Sequence, residues 1–222
     1  MNLHTVRSAG FSGLAFVVLV IVSVLLPGIP PDNSASAADV GHYFDAHRTL
    51  VLIGAWLSIP STAFFAWYAV GLYRLLKAAG NDEGLPLFAL VNGIIAGAVA
   101  LVTAVLQISL AFHPSSQIGE SAIRVLYDAY SVSGALTLGA TAFMMFGVAA
   151  SGMRHGSLPR WLCQLTYLFA IGNLAASVTA MYNSGFMALG GMGGLIVGVI
   201  PFVLWLVLTS MVMIGKGSAA TR

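Results

Sequence analysis

"PLFALVNGIIAGAVALVTAVLQISLAF", residues 86–112, contains no charged side chain and no histidine. As an α-helix it is about 40 Å long, enough to cross the ~30 Å hydrocarbon core of a bilayer. In lipid every backbone N–H and C=O needs a partner, and a single helix satisfies its own. Its small residues recur at helical spacing. Gly93 and Gly97 are followed by Ala100, Ala104 and then Gln107, a stripe that lets a second helix approach closely.

Five further stretches read the same way. The predicted spans are 9–29, 49–76, 86–112, 124–151, 160–181 and 195–214, in one bundle over residues 1–222. Composition agrees: 59% of the residues are hydrophobic and 7% are charged, with mean hydropathy +0.93. Soluble domains carry about 25% charged residues. Similar small-residue stripes follow in span four (Ser131, Ala135, Gly139, Ala142) and span five (Asn173, Ala176, Ser177, Ala180). The predicted fold class is all-α: a polytopic six-helix membrane bundle. A short amphipathic helix, capped by Ser36 or Asp39, is expected on the outer side before span two. Arg7 before span one and "ASAAD" after it resemble a signal peptide. The long apolar run and the spacer Pro27–Ser34 predict an uncleaved helix instead.

Lys and Arg set the orientation. With both termini inside, Arg7, Arg74, Lys77, Arg154, Arg160, Lys216 and Arg222 are cytoplasmic, leaving two of the nine, Arg48 and Arg124, outside. That asymmetry predicts a multi-pass, N-in/C-in protein of a bacterial cytoplasmic membrane. Asp82 and Glu83 fall inside, the other acids outside. Pro60 and Pro201 predict kinks in spans two and six. Gly190, Gly191, Gly193 and Gly194 predict a flexible outer loop before span six.

Several chemistries are not encoded. No Asp, Glu, Lys, Arg or His falls in the middle of a span, where proton-coupled transporters keep one. No HExxH, GxSxG or phosphate-binding loop is present, and no cofactor is named by any motif. Nine basic residues scattered along the chain form no stripe for nucleic acid. The single cysteine, Cys163, reads as an apolar filler.

What remains is a polar collar on the outer face. If residues 39–58 form one helix, His42, Asp45 and Arg48 share a ridge and Asp45 pairs with Arg48. His47 lies round the helix from His42, so these two cannot share a metal ion. In "GESAIRVLYDAYS", Glu120, Arg124 and Asp128 follow at i, i+4 steps, with Glu120 placed to pair with Arg124. Asp128 shares the face of Ser131 and Ala135 and is expected to point into the bundle. His113 ends span three, with Gln107 below it. The candidate ligand-binding set is therefore His42, Asp45, Arg48, Gln107, His113, Arg124 and Asp128, and His113 with Asp128 are the candidate metal ligands. The alternative reading is structural: polar residues gather where helices leave a membrane, and ion pairs there knit helix ends. Asn92, Gln164 and Asn173 are expected to serve as hydrogen-bonding glue between helices.

The outer helix "YFDAHRT", the Ala/Gly-rich six-span body and the loop "LPRWL" resemble uncharacterised small multi-pass membrane proteins most familiar from actinobacteria. That resemblance implies a bacterial plasma membrane and no assigned site residues. The expected function is non-enzymatic: binding of a membrane lipid or other apolar ligand, or service as a subunit beside a second copy or another membrane protein, through the outer face. The alternatives are a small-solute channel or uncoupled carrier, and an outer-face metal-binding protein or enzyme.

Overall fold

A computed structural model describes residues 3–80, 83–182 and 192–219. Asp82, Gly190, Gly191 and Arg222, invoked above, lie outside them. The chain is helical, and no strand occurs among the described residues. In order the helices are α1 (Leu3–Leu25), α2 (Ala37–Ala46), α3 (Arg48–Lys77), α4 (Gly84–Phe112), α5 (Glu120–His155), α6 (Arg160–Ser177), α7 (Met192–Gly194) and α8 (Ile200–Ala219). A 3₁₀ turn, Val178–Met181, extends α6, and a π-helical segment, Leu195–Val199, joins α7 to α8. Six helical stretches are long and apolar enough to cross a membrane, beginning at His4, Arg48, Gly84, Glu120, Arg160 and Met192. The protein is thus built as a multi-pass membrane protein.

Each spanning helix packs against its neighbours in the chain, and α8 closes the ring by packing against α1. We call the end carrying α2 the outer end. The main core draws on all six spanning helices and lies toward the opposite, inner end, around Tyr68, Leu72, Met144, Leu162, Trp205 and Met213. Gly71 of α3 meets Ala9 of α1 there, at a spacing that leaves no room for a Cβ. In α4, Gly93 faces Met144 and Ala69, and Gly97 faces Thr62. The stripe read from the sequence is the seam on which α4 meets its neighbours.

Three local features differ from expectation. Residues 39–58 are not one helix: α2 stops at Ala46, and His47 turns the chain (φ −110°, ψ 14°) into α3. Ser36 caps α2, accepting from the Asp39 N–H at 3.1 Å and donating to the Asp39 carboxylate at 2.6 Å. Second, α5 has 36 residues, about 54 Å of helix, and overruns a bilayer core at both ends. Its outer overhang is the post on which α2 rests. Third, Gly193 and Gly194 are helical, not loop. The sixth span starts before residue 195 and passes through the π segment ahead of Pro201. Proline supplies no N–H to the Val197 carbonyl. Gly172 of α6 comes up against that carbonyl, where a Cβ would sit 2.7 Å from the oxygen.

Candidate functional site

The segment between α1 and α2 is held down on α5 by one guanidinium. Arg124 donates from Nε to Asp128 Oδ2 at 3.1 Å and pairs through Nη2 with Asp128 Oδ1 at 2.9 Å. It also donates to the carbonyls of Ala35 at 3.1 Å and Asn33 at 2.5 Å. The Asn33 amide donates to Asp128 Oδ1 at 3.0 Å, and Tyr127 donates to the Pro31 carbonyl. Arg124 therefore turns to Asp128, not to Glu120 as the i, i+4 order had suggested. Asp128 is half-buried and points at the overlying segment. The planar fork suits this duty because it meets a carboxylate and two carbonyls at fixed angles.

A second cluster joins α2 to the α4–α5 connection. Asp45 accepts from the Ser115 N–H at 3.0 Å and the Ser115 hydroxyl at 2.6 Å. These bonds hold its carboxyl below the ordinary carboxylate value. Gly41 makes the approach possible, since a Cβ there would lie 2.8 Å from Ser115 Cβ. Arg48 donates to the Phe112 carbonyl at 2.5 Å. The expected Asp45–Arg48 pair is not made, because the break at His47 takes the two off one ridge. His113 is exposed, its ring edge-on to Phe112 at 5.0 Å. Tyr43 stacks beside His47 at 4.8 Å and donates to the carbonyls of Pro27 and Gly28. Burial, then Tyr130, pushes its hydroxyl up to about 12, so it remains a neutral donor. Val40, Phe44, Val51, Ile123 and Tyr127 form a small core under these contacts.

The predicted residues thus fall into three places. Arg124 and Asp128 meet under the segment before α2. At the rim Arg48 and Asp45 hold residues 112–115, which include His113, and His42 lies near Asp45. Gln107 stands apart, half-buried on α4. No group of three His, Cys, Asp or Glu side chains is placed to hold a metal ion among the described residues. Asn173 is glue between helices: it accepts from Thr141 at 3.2 Å and donates to the Gly198 carbonyl at 3.3 Å. Among the described residues Asn92 bonds within its own helix, to the Phe88 carbonyl, and Gln164 is exposed. Cys163 is a buried free thiol.

A concavity lies on the membrane-facing side, where sequence reasoning did not look. Between α1 and α3 a groove of about 650 Å³ is lined by Ser8, Phe11, Ser12, Ala15, Pro60, Ala63, Phe64 and Trp67. Small residues form its floor and three aromatics its walls. Trp67 donates to Ser8 Oγ at 3.2 Å, and Ser12 donates to the Phe64 carbonyl at 2.6 Å, fixing the two helices. The Arg7 guanidinium lies over the Phe11 ring, 5.9 Å from its centroid. A smaller groove of about 280 Å³, lined by Thr49, Leu52, Ile53 and Trp56, continues along α3 toward the outer end. The signal was legible as an α3 stripe of Trp56, Pro60, Ala63 and Trp67 at helical spacing. Which helix stands beside it was not.

No curated protein and no solved structure matches this chain. With a six-helix membrane-type body in place, one match spans nearly all of it: over residues 9–209 the chain belongs to the family described as a domain of unknown function, DUF4386.

Proposed function

We propose that this is a non-enzymatic protein of a bacterial cytoplasmic membrane that binds a lipid or similar apolar molecule at its side, in the α1–α3 groove. The observation that carries this reading is the groove itself. Its volume of about 650 Å³ is within the ~300–1,000 Å³ of small-molecule sites. It opens where hydrocarbon surrounds the bundle. Water has little to bond to there, so acyl chains are its natural filling. The packed interior of Tyr68, Met144, Trp205 and Leu206 supports a lateral site over an axial path.

The test is native mass spectrometry of the full chain released from lipid nanodiscs, beside Ala63→Leu, which fills the groove from an exposed position. Wild type is expected to carry retained lipid that the variant loses. Equal retention by both, or none by wild type, would sink the reading.

A second reading rests on the rim, where exposed His42 and Arg48 lie near Asp45 and His113 is exposed on the connection that Asp45 anchors. These would grip a carboxylate or the loop of a neighbouring membrane protein, with Arg124, Asp128 and Gln107 in support. Its test is loss of a cross-linked partner in intact membranes on His42→Ala with His113→Ala.

A further inference from the structure

We infer that the α1–α3 groove is a site for an anionic phospholipid of the leaflet on the N-terminal side, with Arg7 and Arg74 as its headgroup residues. This rests on the lateral-groove reading and adds the class of headgroup. From Ser8 to Ala15, and from Pro60 to Trp67, the groove covers about 10 Å along the helix axes, the depth of most of one leaflet's hydrocarbon. Its aromatic wall ends in Trp67, whose indole N–H is held by Ser8, the placement of an amphipathic ring at headgroup level. Arg7 lies over Phe11 on the other wall, so its charge caps the groove. Arg74 is seven residues beyond Trp67, two helical turns along the same stripe of α3, and is exposed.

The charges discriminate between the basic residues here. Lys77, in the last turn of α3, is paired with Glu83 at 2.6 Å. Arg7 and Arg74 have no acidic partner among the described residues. Two guanidiniums with no acidic partner among the described residues, over an apolar channel, match one ligand chemistry, a phosphate ester carrying acyl chains. A zwitterionic lipid would fill the channel equally well, but its own cation offsets its phosphate and leaves the site two charges positive, against one with phosphatidylglycerol.

The experiment uses the full chain in nanodiscs of phosphatidylcholine doped with phosphatidylglycerol, with native mass spectrometry counting each lipid retained per chain. Wild type is expected to hold phosphatidylglycerol well above its bulk share. Arg7→Gln and Arg74→Gln are each expected to lower that preference about fivefold. Lys77→Gln should leave it unchanged. Ala63→Leu should lower both lipids together. Both arginines are exposed, so these variants keep the fold, and a thermal melt of each checks it. Lipid retained at its bulk ratio, or a preference that survives the double glutamine variant, overturns the headgroup assignment and leaves the groove standing. A wild-type chain with no retained lipid overturns the groove reading as well.

Discussion

Arg124 shows how one side chain closes the outer end. Its donors are spent on Asp128 and on the carbonyls of Asn33 and Ala35, which have no other side-chain donor shown in the structure. Hydrogen bonds to a charged group are worth about 1.5–3 kcal/mol. Arg124→Gln is therefore expected to release residues 27–46, raising their amide exchange at least tenfold, while α4 and α6 stay protected. Arg124→Lys should restore only part of the protection, since an ammonium lacks the fork. Asp45 gives a pH dependence. Its folded carboxyl titrates below the ordinary value of 3.8, so the Ser115 anchor contributes at higher pH and is lost as pH falls through the folded value. Protection factors in α2, which remove the intrinsic pH dependence of amide exchange, should be flat from neutral pH to about 5 and fall only below the ordinary carboxylate range. Asp45→Asn should show the lowered protection at every pH. The residue types of both anchors were legible in the sequence. Their partners were not, because Asn33 and Ser115 are distant in the chain and look like ordinary turn residues.

At the scale of the helix, periodicity located every span and missed where the helices change character. Nothing in "LIVGVIPF" announces a π segment; it follows from Pro201 withholding an N–H while Gly172 of α6 admits the Val197 carbonyl. Gly172→Ala is expected to destabilise the α6–α8 contact by about 1–3 kcal/mol, the usual cost of overpacking, read as a lowered melting temperature in detergent. Gly134→Ala, inside α5 with nothing within 4 Å, is the control and should be neutral to slightly stabilising. The outer overhang of α5 was legible as helix, because "GESAIRVLYDAY" carries its polar residues at i, i+4 steps; that α2 and its leading segment pack on it was not.

For the whole molecule, the ring order makes α1 a full member of the core, between α3 and α8. The alternation of spans places Ser116 on the side of Arg48 and Arg124, and Ala78 on the side of Lys77. With both termini inside, Ser116→Cys should react with a membrane-impermeant maleimide in intact cells, and Ala78→Cys only after permeabilisation. Cys163 is fully buried and should stay silent in both. Labelling of the Ala78→Cys thiol but not the Ser116→Cys thiol in intact cells would reject the orientation.

The sequence by itself determined that the chain crosses a membrane six times, which residues line the seam of α4, and where a short outer helix starts. These follow from local physics: hydropathy, helical period and capping act within a few residues. Only the tertiary structure decided which partners the polar collar residues take and that a groove opens between α1 and α3. A hydrogen bond between Arg124 and the Asn33 carbonyl, or a groove between Phe11 and Trp67, exists only once distant helices stand side by side. That adjacency is set by small-residue packing summed over the whole bundle, which no single stretch of sequence contains.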